Sequence, residues 1–205
     1  MSDHRKTTLS RPDAVNVAHI VEHCHVLGPG DRFAVWVQGC PIHCPGCHNP
    51  QFLPFVDATW LGVESLAERI IYTAGIEGVT FVGGEPFAQP RALAEIAGRV
   101  RKSGLTVMVY SGYTFEELTS GKVADAECLM NNADLLMDGR YQVDLPTQRL
   151  WRGSENQRLI ALSQRYADRV QEWDRTLGQA FEVHVKADGT IEVLGIPPRE
   201  LMTSI

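Results

Sequence analysis

Three cysteines, Cys40, Cys44 and Cys47, stand in the octet Cys40-Pro41-Ile42-His43-Cys44-Pro45-Gly46-Cys47, a C-x3-C-x2-C spacing directly after a hydrophobic run. Thiolates held that closely can ligate three irons of a cubane iron–sulfur cluster and leave the fourth iron open for chemistry. A cluster that only carries electrons normally wants a fourth cysteine, and Cys24 and Cys128 are far off in sequence and unmatched in spacing. Zinc competes for the same residues, because His43 and His48 flank the thiols. Structural zinc sites, however, usually pair two short ligand knuckles across a longer span, and a second knuckle is missing from the sequence. A disulfide reading is weaker still. The cysteine count of 5 is odd, and Met1 to Lys6 lead into no apolar core of a secretory signal, so reduced thiols and a cytoplasmic location are expected.

A second group with chemical potential is Gly83-Gly84-Glu85-Pro86, into which the apolar run Val79-Thr80-Phe81-Val82 leads directly. Two glycines let a backbone approach a ligand closely, and the Glu85 carboxylate can pair with an ammonium. Alone, the same residues describe a tight turn at a strand end.

Both groups need a scaffold, and the sequence supplies one by alternation. Arg32 to Val37 is a β-rich run ending at Gln38-Gly39, so the thiol loop hangs from the C-terminal end of a strand, the edge at which α/β sheets bind ligands. Val63, Leu66, Ala67, Ile70, Ile71 and Ala74 repeat at helical spacing, with Gly75 as a stop. Val79 to Val82 reads as a strand, Pro90 opens a helix with Leu93, Ile96, Ala97 and Val100 on one face, and Leu105 to Tyr110 reads as the next strand. Thr114 and Glu117 fit a capping box for a third helix. Asp134 to Met137 and Leu159 to Leu162 are shorter strand candidates, and residues 163 to 176 are expected to be helical. Strands alternating with helices imply βαβ units and a largely parallel sheet. Near the end, Phe181, Val183 and Val185 alternate, Asp188-Gly189 marks a turn, and Ile191 and Val193 resume, which predicts a hairpin added at a sheet edge.

Length and composition bound the rest. A chain of 205 residues, 44% hydrophobic and 21% charged, suits one soluble α/β domain over 15–205, preceded by a polar tail over 1–14. No apolar run approaches the roughly 20 residues that span a bilayer. A net charge of −6 argues against a protein that grips a phosphate backbone, so neither membrane nor nucleic acid is an expected partner.

Taken together, the two motifs resemble those of the radical SAM superfamily, which carries a C-x3-C-x2-C loop after its first strand and a GGE-type motif after its second. Within it the chain is similar to the small activating enzymes that install a glycyl radical, above all the anaerobic ribonucleotide reductase activating proteins. Gly28-Pro29-Gly30, Cys47-His48-Asn49, Met137-Asp138-Gly139-Arg140 and the run Trp151-Arg152-Gly153-Ser154-x-Asn156-Gln157-Arg158 carry that likeness from Gly28 to Leu162. The resemblance implies a partial (β/α) barrel with a C-terminal hairpin addition. It also implies a [4Fe-4S] cluster on Cys40, Cys44 and Cys47, and S-adenosylmethionine whose amino and carboxylate groups chelate the open iron. Gly83, Gly84 and Glu85 would hold the amino group, Ser111 would touch the ribose, and Asp138 and Arg140 would lie near the ribose or carboxylate. Reductive cleavage to a 5′-deoxyadenosyl radical, a glycyl radical enzyme as protein substrate, and a flavodoxin- or ferredoxin-type electron donor complete the implied function. The chain departs from many superfamily members in carrying Gly46 where an aromatic residue precedes the third thiol, and its tail beyond Leu162 exceeds that of the shortest reductase activators.

Other readings stay open. A radical SAM enzyme acting on a small molecule, a peptide or a nucleoside precursor would use the same cofactors, and a zinc-stabilised interaction module would use none of them. Among single residues, three adjacent side chains cannot all point one way, so His23-Cys24-His25 is not read as a metal site. Cys128 is expected to be a buried small hydrophobe, His184 to lie on an exposed strand face, and Trp151 to serve either the core or a partner contact.

Overall fold

The structure is a computed structural model describing residues 11–178 and 181–197. Of the tail expected over 1–14, residues 1–10 lie outside the described residues, and the first strand opens at Ala14.

A seven-stranded sheet organises the chain. In chain order its strands are β1 (Ala14–Cys24), β2 (Arg32–Val37), β3 (Thr59–Gly62), β4 (Gly78–Gly83), β5 (Thr106–Tyr110), β6 (Leu135–Asp138) and β7 (Arg158–Ala161), arranged in space as β3-β1-β2-β4-β5-β6-β7. The four central strands β2, β4, β5 and β6 run parallel, as the alternation of strands and helices requires. β1 and β3 extend one side and β7 closes the other, each antiparallel to its neighbour. The central strands read as continuous apolar runs because both their faces are covered; every residue of β2 is buried.

Helices α1 (Val63–Tyr72), α2 (Pro90–Lys102), α3 (Phe115–Thr119) and α4 (Ala126–Met130) follow β3, β4 and β5. The capping box of α3 forms as expected, with Thr114 and Glu117 exchanging hydrogen bonds. Leu66 and Ile70 of α1 and Leu93, Ile96 and Val100 of α2 pack with Phe33, Val35, Phe81 and Val107 into the larger core on one face of the sheet. Each such fully buried side chain contributes about 2 kcal/mol of transfer free energy. On the opposite face, Met108, Leu135 and Met137 meet Trp151, Tyr166 and Trp173, the last from α5 (Ala167–Arg175). α4 turns Ala126 and Leu129 inward, which leaves Cys128 exposed rather than buried.

The C-terminal hairpin, β8 (Phe181–Val185) and β9 (Ile191–Gly195), departs from expectation in two ways. It forms a two-stranded sheet of its own instead of extending an edge of the main sheet. Its alternation is also inverted: Phe181, Val183, Val185 and Ile191 face solvent, whereas Glu182, His184 and Glu192 are half-buried and Leu194 is buried. A period of two locates a strand without saying which face is covered. Here β1 decides the question, because His19 pairs with Glu192 at 2.6 Å and His25 with Glu182 at 2.9 Å, while Leu194 joins Val21, Cys24, Ala34 and Trp36 in an apolar cluster. His184 therefore faces inward, 3.4 Å from Glu182.

Candidate functional site

β2 delivers the thiol loop to the C-terminal edge of the parallel strands, where the chain turns at Gly39 with φ +95°. Cys40 is buried, and Cys44 and Cys47 are half-buried in a tight turn closed by Cys47 N donating to Cys44 O at 3.2 Å. The returning segment is bonded back onto the entry: Gly39 N donates to Phe52 O and Cys40 N to Leu53 O, each at 2.9 Å. Three buried amide side chains, which no sequence motif announced, fasten this return. Asn16 Nδ2 donates to Val56 O at 2.8 Å, and Asn16 Oδ1 accepts from Ala58 N at 2.9 Å. Gln38 Nε2 donates to Pro54 O at 2.7 Å, and Gln89 Oε1 accepts from Asn16 N at 2.7 Å. The loop thus gains the bonds of a short ladder without being a strand.

The Gly-Gly-Glu turn lies directly against this loop. Gly84 N donates to Val37 O at 2.8 Å and Glu85 N to Gly39 O at 2.9 Å. This contact explains the glycine pair. A Cβ on Gly83 would sit 2.6 Å from Trp36 Cα, and one on Gly84 would sit 2.4 Å from Gly39 O. The glycines thus let the turn close-pack on the thiol-bearing strand, a requirement that stands beside the close approach to a ligand expected of them.

Glu85 is fully buried beneath the turn. Its Oε1 accepts from Phe87 N at 3.0 Å and from Ser111 Oγ at 2.9 Å, and its Oε2 accepts from Gly112 N at 2.9 Å. Burial pushes its carboxyl up to about 7, and these hydrogen bonds oppose the shift without cancelling it. Ser111 in turn accepts from Tyr113 N, so its hydroxyl orients Glu85 within the same cavity wall. Burial also pushes the thiols of Cys40 and Cys44 up. In the metal-free chain they are protonated at neutral pH, and ligation to a metal displaces those protons.

Thiols and turn share a cavity of about 870 Å³, whose walls also include Trp36, Tyr110, Ser111, Gly139, Tyr141, Gln157 and the residues from Glu192 to Pro197. Two expected contributors sit outside that lining. Asp138 is buried and accepts from Phe115 N at 2.7 Å and from Arg158 Nε at 3.0 Å. Arg140 grips Glu117 through both terminal nitrogens, at 2.8 and 3.0 Å. Gly139 and Tyr141 take the wall instead, while the Arg140 charge still helps hold down the Cys44 and Glu85 groups.

The Trp151 to Arg158 run is a clasp for this wall. Gln157 Oε1 accepts from Gly153 N at 2.7 Å and its Nε2 donates to Gly139 O at 2.9 Å, while Asn156 Nδ2 donates to Arg140 O at 2.8 Å. Arg152 is buried against Asp174 of α5, and Trp151 packs edge-on to Trp173. Trp151 is therefore a core residue, and its carbonyl accepts from the Tyr110 hydroxyl.

Soft sulfur donors suit zinc or an iron–sulfur cluster. Among the described residues, no three histidine, cysteine or acidic side chains converge on a point the size of one ion. A cubane gives each thiolate an iron of its own, so its ligands ring the cluster instead of sharing a point. Three thiols on one short loop are a donor set that fits a cubane cluster. Among the described residues, no helix is long and apolar enough to cross a membrane.

Comparison with known proteins agrees with this chemistry. The model of the 4Fe-4S single cluster domain family matches residues 26–160. The anaerobic ribonucleoside-triphosphate reductase-activating protein of Enterobacteria phage T4 is 31% identical over 141 residues, which cover 65% of this chain and 86% of that protein. The pyruvate formate-lyase-activating enzyme of Clostridium pasteurianum is 33% identical over 104 residues, covering 47% of this chain and 44% of that enzyme. Among solved structures, QueE from Escherichia coli overlaps half of the chain at 19% identity, with a TM-score of 0.37.

Proposed function

Because the chain belongs to the 4Fe-4S single cluster domain family, and within it to the anaerobic ribonucleotide reductase-activating proteins, we infer that it is a radical SAM activase of a glycyl radical enzyme. When bound, the [4Fe-4S] cluster would supply the one electron that breaks a carbon–sulfur bond of S-adenosylmethionine, releasing methionine and starting the radical chemistry by which a hydrogen atom would be taken from a glycine of the partner enzyme. A glycine Cα–H suits that step, since the product radical is delocalised onto both flanking peptide groups. The remaining work belongs to residues of this chain.

Cys40, Cys44 and Cys47 are assigned as the cluster ligands, on the strength of their spacing and of the hydrogen bonds that fasten their loop at both ends. Gly83, Gly84 and Glu85 are assigned to the cofactor's amino group. The Glu85 carboxylate is poised for an ammonium because burial keeps it weakly acidic, and an arriving cation favours its ionised form. Ser111 holds Glu85 in that orientation. Arg140, locked on Glu117, contributes a fixed positive charge at the rim, and the aligned Asp138–Arg158 pair positions the segment that carries it. These two act on the cofactor from outside the cavity wall. Trp36, Tyr110 and Leu194 give the cavity apolar sides that exclude water from a reactive radical. For the partner we favour an anaerobic ribonucleotide reductase, and a flavodoxin- or ferredoxin-type protein as the source of electrons.

One observation carries the proposal: the loop with three thiols and the Gly-Gly-Glu turn are hydrogen-bonded to each other at one end of the parallel strands, through Glu85 N and Gly39 O. The test mixes the anaerobically reconstituted chain with reductant, S-adenosylmethionine and the cognate anaerobic ribonucleotide reductase. A glycyl doublet in the electron paramagnetic resonance spectrum of the reductase is expected. Production of 5′-deoxyadenosine without any doublet would instead point to a small substrate.

A further inference from the structure

The family match ends at residue 160, and the hairpin lies beyond it, yet the hairpin builds one wall of the cavity. Four consecutive residues of β9, Glu192 to Gly195, line that wall, followed by Ile196 and Pro197 beyond the strand. Side chains alternate between the two faces of a strand, so consecutive residues border one space only when the strand turns its edge toward it. The phase of the hairpin ladder identifies the backbone groups on that edge. Lys186 N donates to Thr190 O at 2.9 Å beside the turn. In an antiparallel pair, bonded and unbonded positions alternate. His184–Glu192 and Glu182–Leu194 are therefore bonded pairs, and Val185–Ile191 and Val183–Val193 are the unbonded ones. The N–H and C=O groups of Ile191 and Val193 point away from β8, and β9 has no other strand neighbour among the described residues.

An unpaired strand edge is a template for another extended backbone. This one is also held in place. From below, His19 pairs with Glu192 and His25 with Glu182, and Leu194 is buried, so the hairpin is anchored over β1 with Val193 of its free edge at the cavity. We propose that the target polypeptide docks here: an extended segment carrying the reactive glycine adds to the free edge of β9 as a third strand, and is led along the cavity wall toward the thiol loop. The inference rests on the reading above that the substrate is a protein. It specifies the occupant as a strand-forming, uncharged segment with apolar side chains at alternate positions, which would continue the outward face of Val183, Val185 and Ile191. Backbone pairing supplies affinity, and a glycine in such a strand presents its Cα hydrogens without side-chain obstruction.

Hydrogen exchange on the cluster-loaded full chain, with and without the cognate anaerobic ribonucleotide reductase, tests this. With the reductase, protection is expected to rise at the amides of Ile191 and Val193 and to stay level at Glu192 and Leu194, which are already bonded to β8. Val193→Pro removes an edge donor and no hairpin bond, and is expected to raise the reductase concentration for half-maximal radical formation by about tenfold. A glycyl doublet formed without the alternating protection overturns the inference and leaves the function standing. Protection at β9 that rises with the concentration of this chain alone assigns the edge to a second copy and also overturns it. No doublet from the unaltered chain overturns the functional reading, and the inference with it.

Discussion

Gly84→Ala isolates the contact between the cofactor turn and the thiol loop. Gly84 does not have a positive φ, so alanine meets no backbone strain, and its effect comes from space alone. The new Cβ would lie 2.4 Å from Gly39 O and 2.9 Å from both Gly39 C and Val37 O. Ordinary contact needs the turn to retreat by roughly 1 Å. That retreat stretches the bonds Gly84 N–Val37 O and Glu85 N–Gly39 O, now 2.8 and 2.9 Å, beyond hydrogen-bond range. Overpacking costs about 1–3 kcal/mol and two lost hydrogen bonds about 1 kcal/mol each, so a loss of about 4 kcal/mol is expected. For a chain of this size that lowers the melting temperature by about 10 °C. The assay is thermal unfolding of the cluster-free chain followed by circular dichroism, so that the change reports packing and not cofactor. Gly62→Ala, whose Cβ meets nothing within 4 Å, is the control. Affinity for S-adenosylmethionine in the loaded chain is expected to fall by at least about tenfold. A Gly84→Ala chain that melts with the control and binds the cofactor normally would refute the account of why these glycines are glycines.

Replacing Cys40, Cys44 or Cys47 singly by alanine is expected to abolish reductive cleavage of S-adenosylmethionine and to lower iron content below the roughly four atoms per chain of a cubane; cleavage retained in any one variant removes that residue from the ligand set. Because the Glu85 carboxyl is raised from 4.5 to about 7 in the folded chain, its protonation stabilises the cluster-free protein fully below pH 4.5, and that stabilisation is lost as pH rises through 7. The span corresponds to about 3 kcal/mol, and urea unfolding across this range should show the slope in the parent and its loss in Glu85→Gln; an unchanged slope in the variant counts against the assignment. Arg158→Ala leaves the buried Asp138 without its cation and is expected to cost about 2 kcal/mol in urea unfolding, less than a fully buried pair because Arg158 is partly exposed. Adding Asp138→Asn should recover part of that loss, and no recovery would mean that Arg158 acts through Glu116 instead.

Legibility followed the range over which each feature is determined. The thiol spacing, the Gly-Gly-Glu turn and the capping box of α3 are set by neighbours within a few residues, and the structure places them as the sequence indicates. The pairing of β1 is not local. Asn16, His19, Glu22 and His23 interrupt its apolar pattern because they serve the thiol loop, the hairpin, α1 and Asp31. Asp138 and Arg140 do sit at the ligand-facing end of β6, but a strand-end position does not say which way a side chain turns, and Phe115 N, Arg158 and Glu117 draw both away from the cavity. The hairpin was visible by its alternation and its Asp188-Gly189 turn, with Gly189 at φ +83°. Its inverted orientation depends on histidines more than 150 residues earlier and has no local signature.

The most direct measurement is electron–nuclear double resonance on the reduced chain, with S-adenosylmethionine labelled with nitrogen-15 in its amino group. Coupling of that nitrogen to the paramagnetic cluster, lost in Cys47→Ala, is the expected result. A colourless protein carrying one zinc, or a cluster whose resonance does not respond to the labelled cofactor, would contradict an open iron held beside the Gly83-Gly84-Glu85 turn.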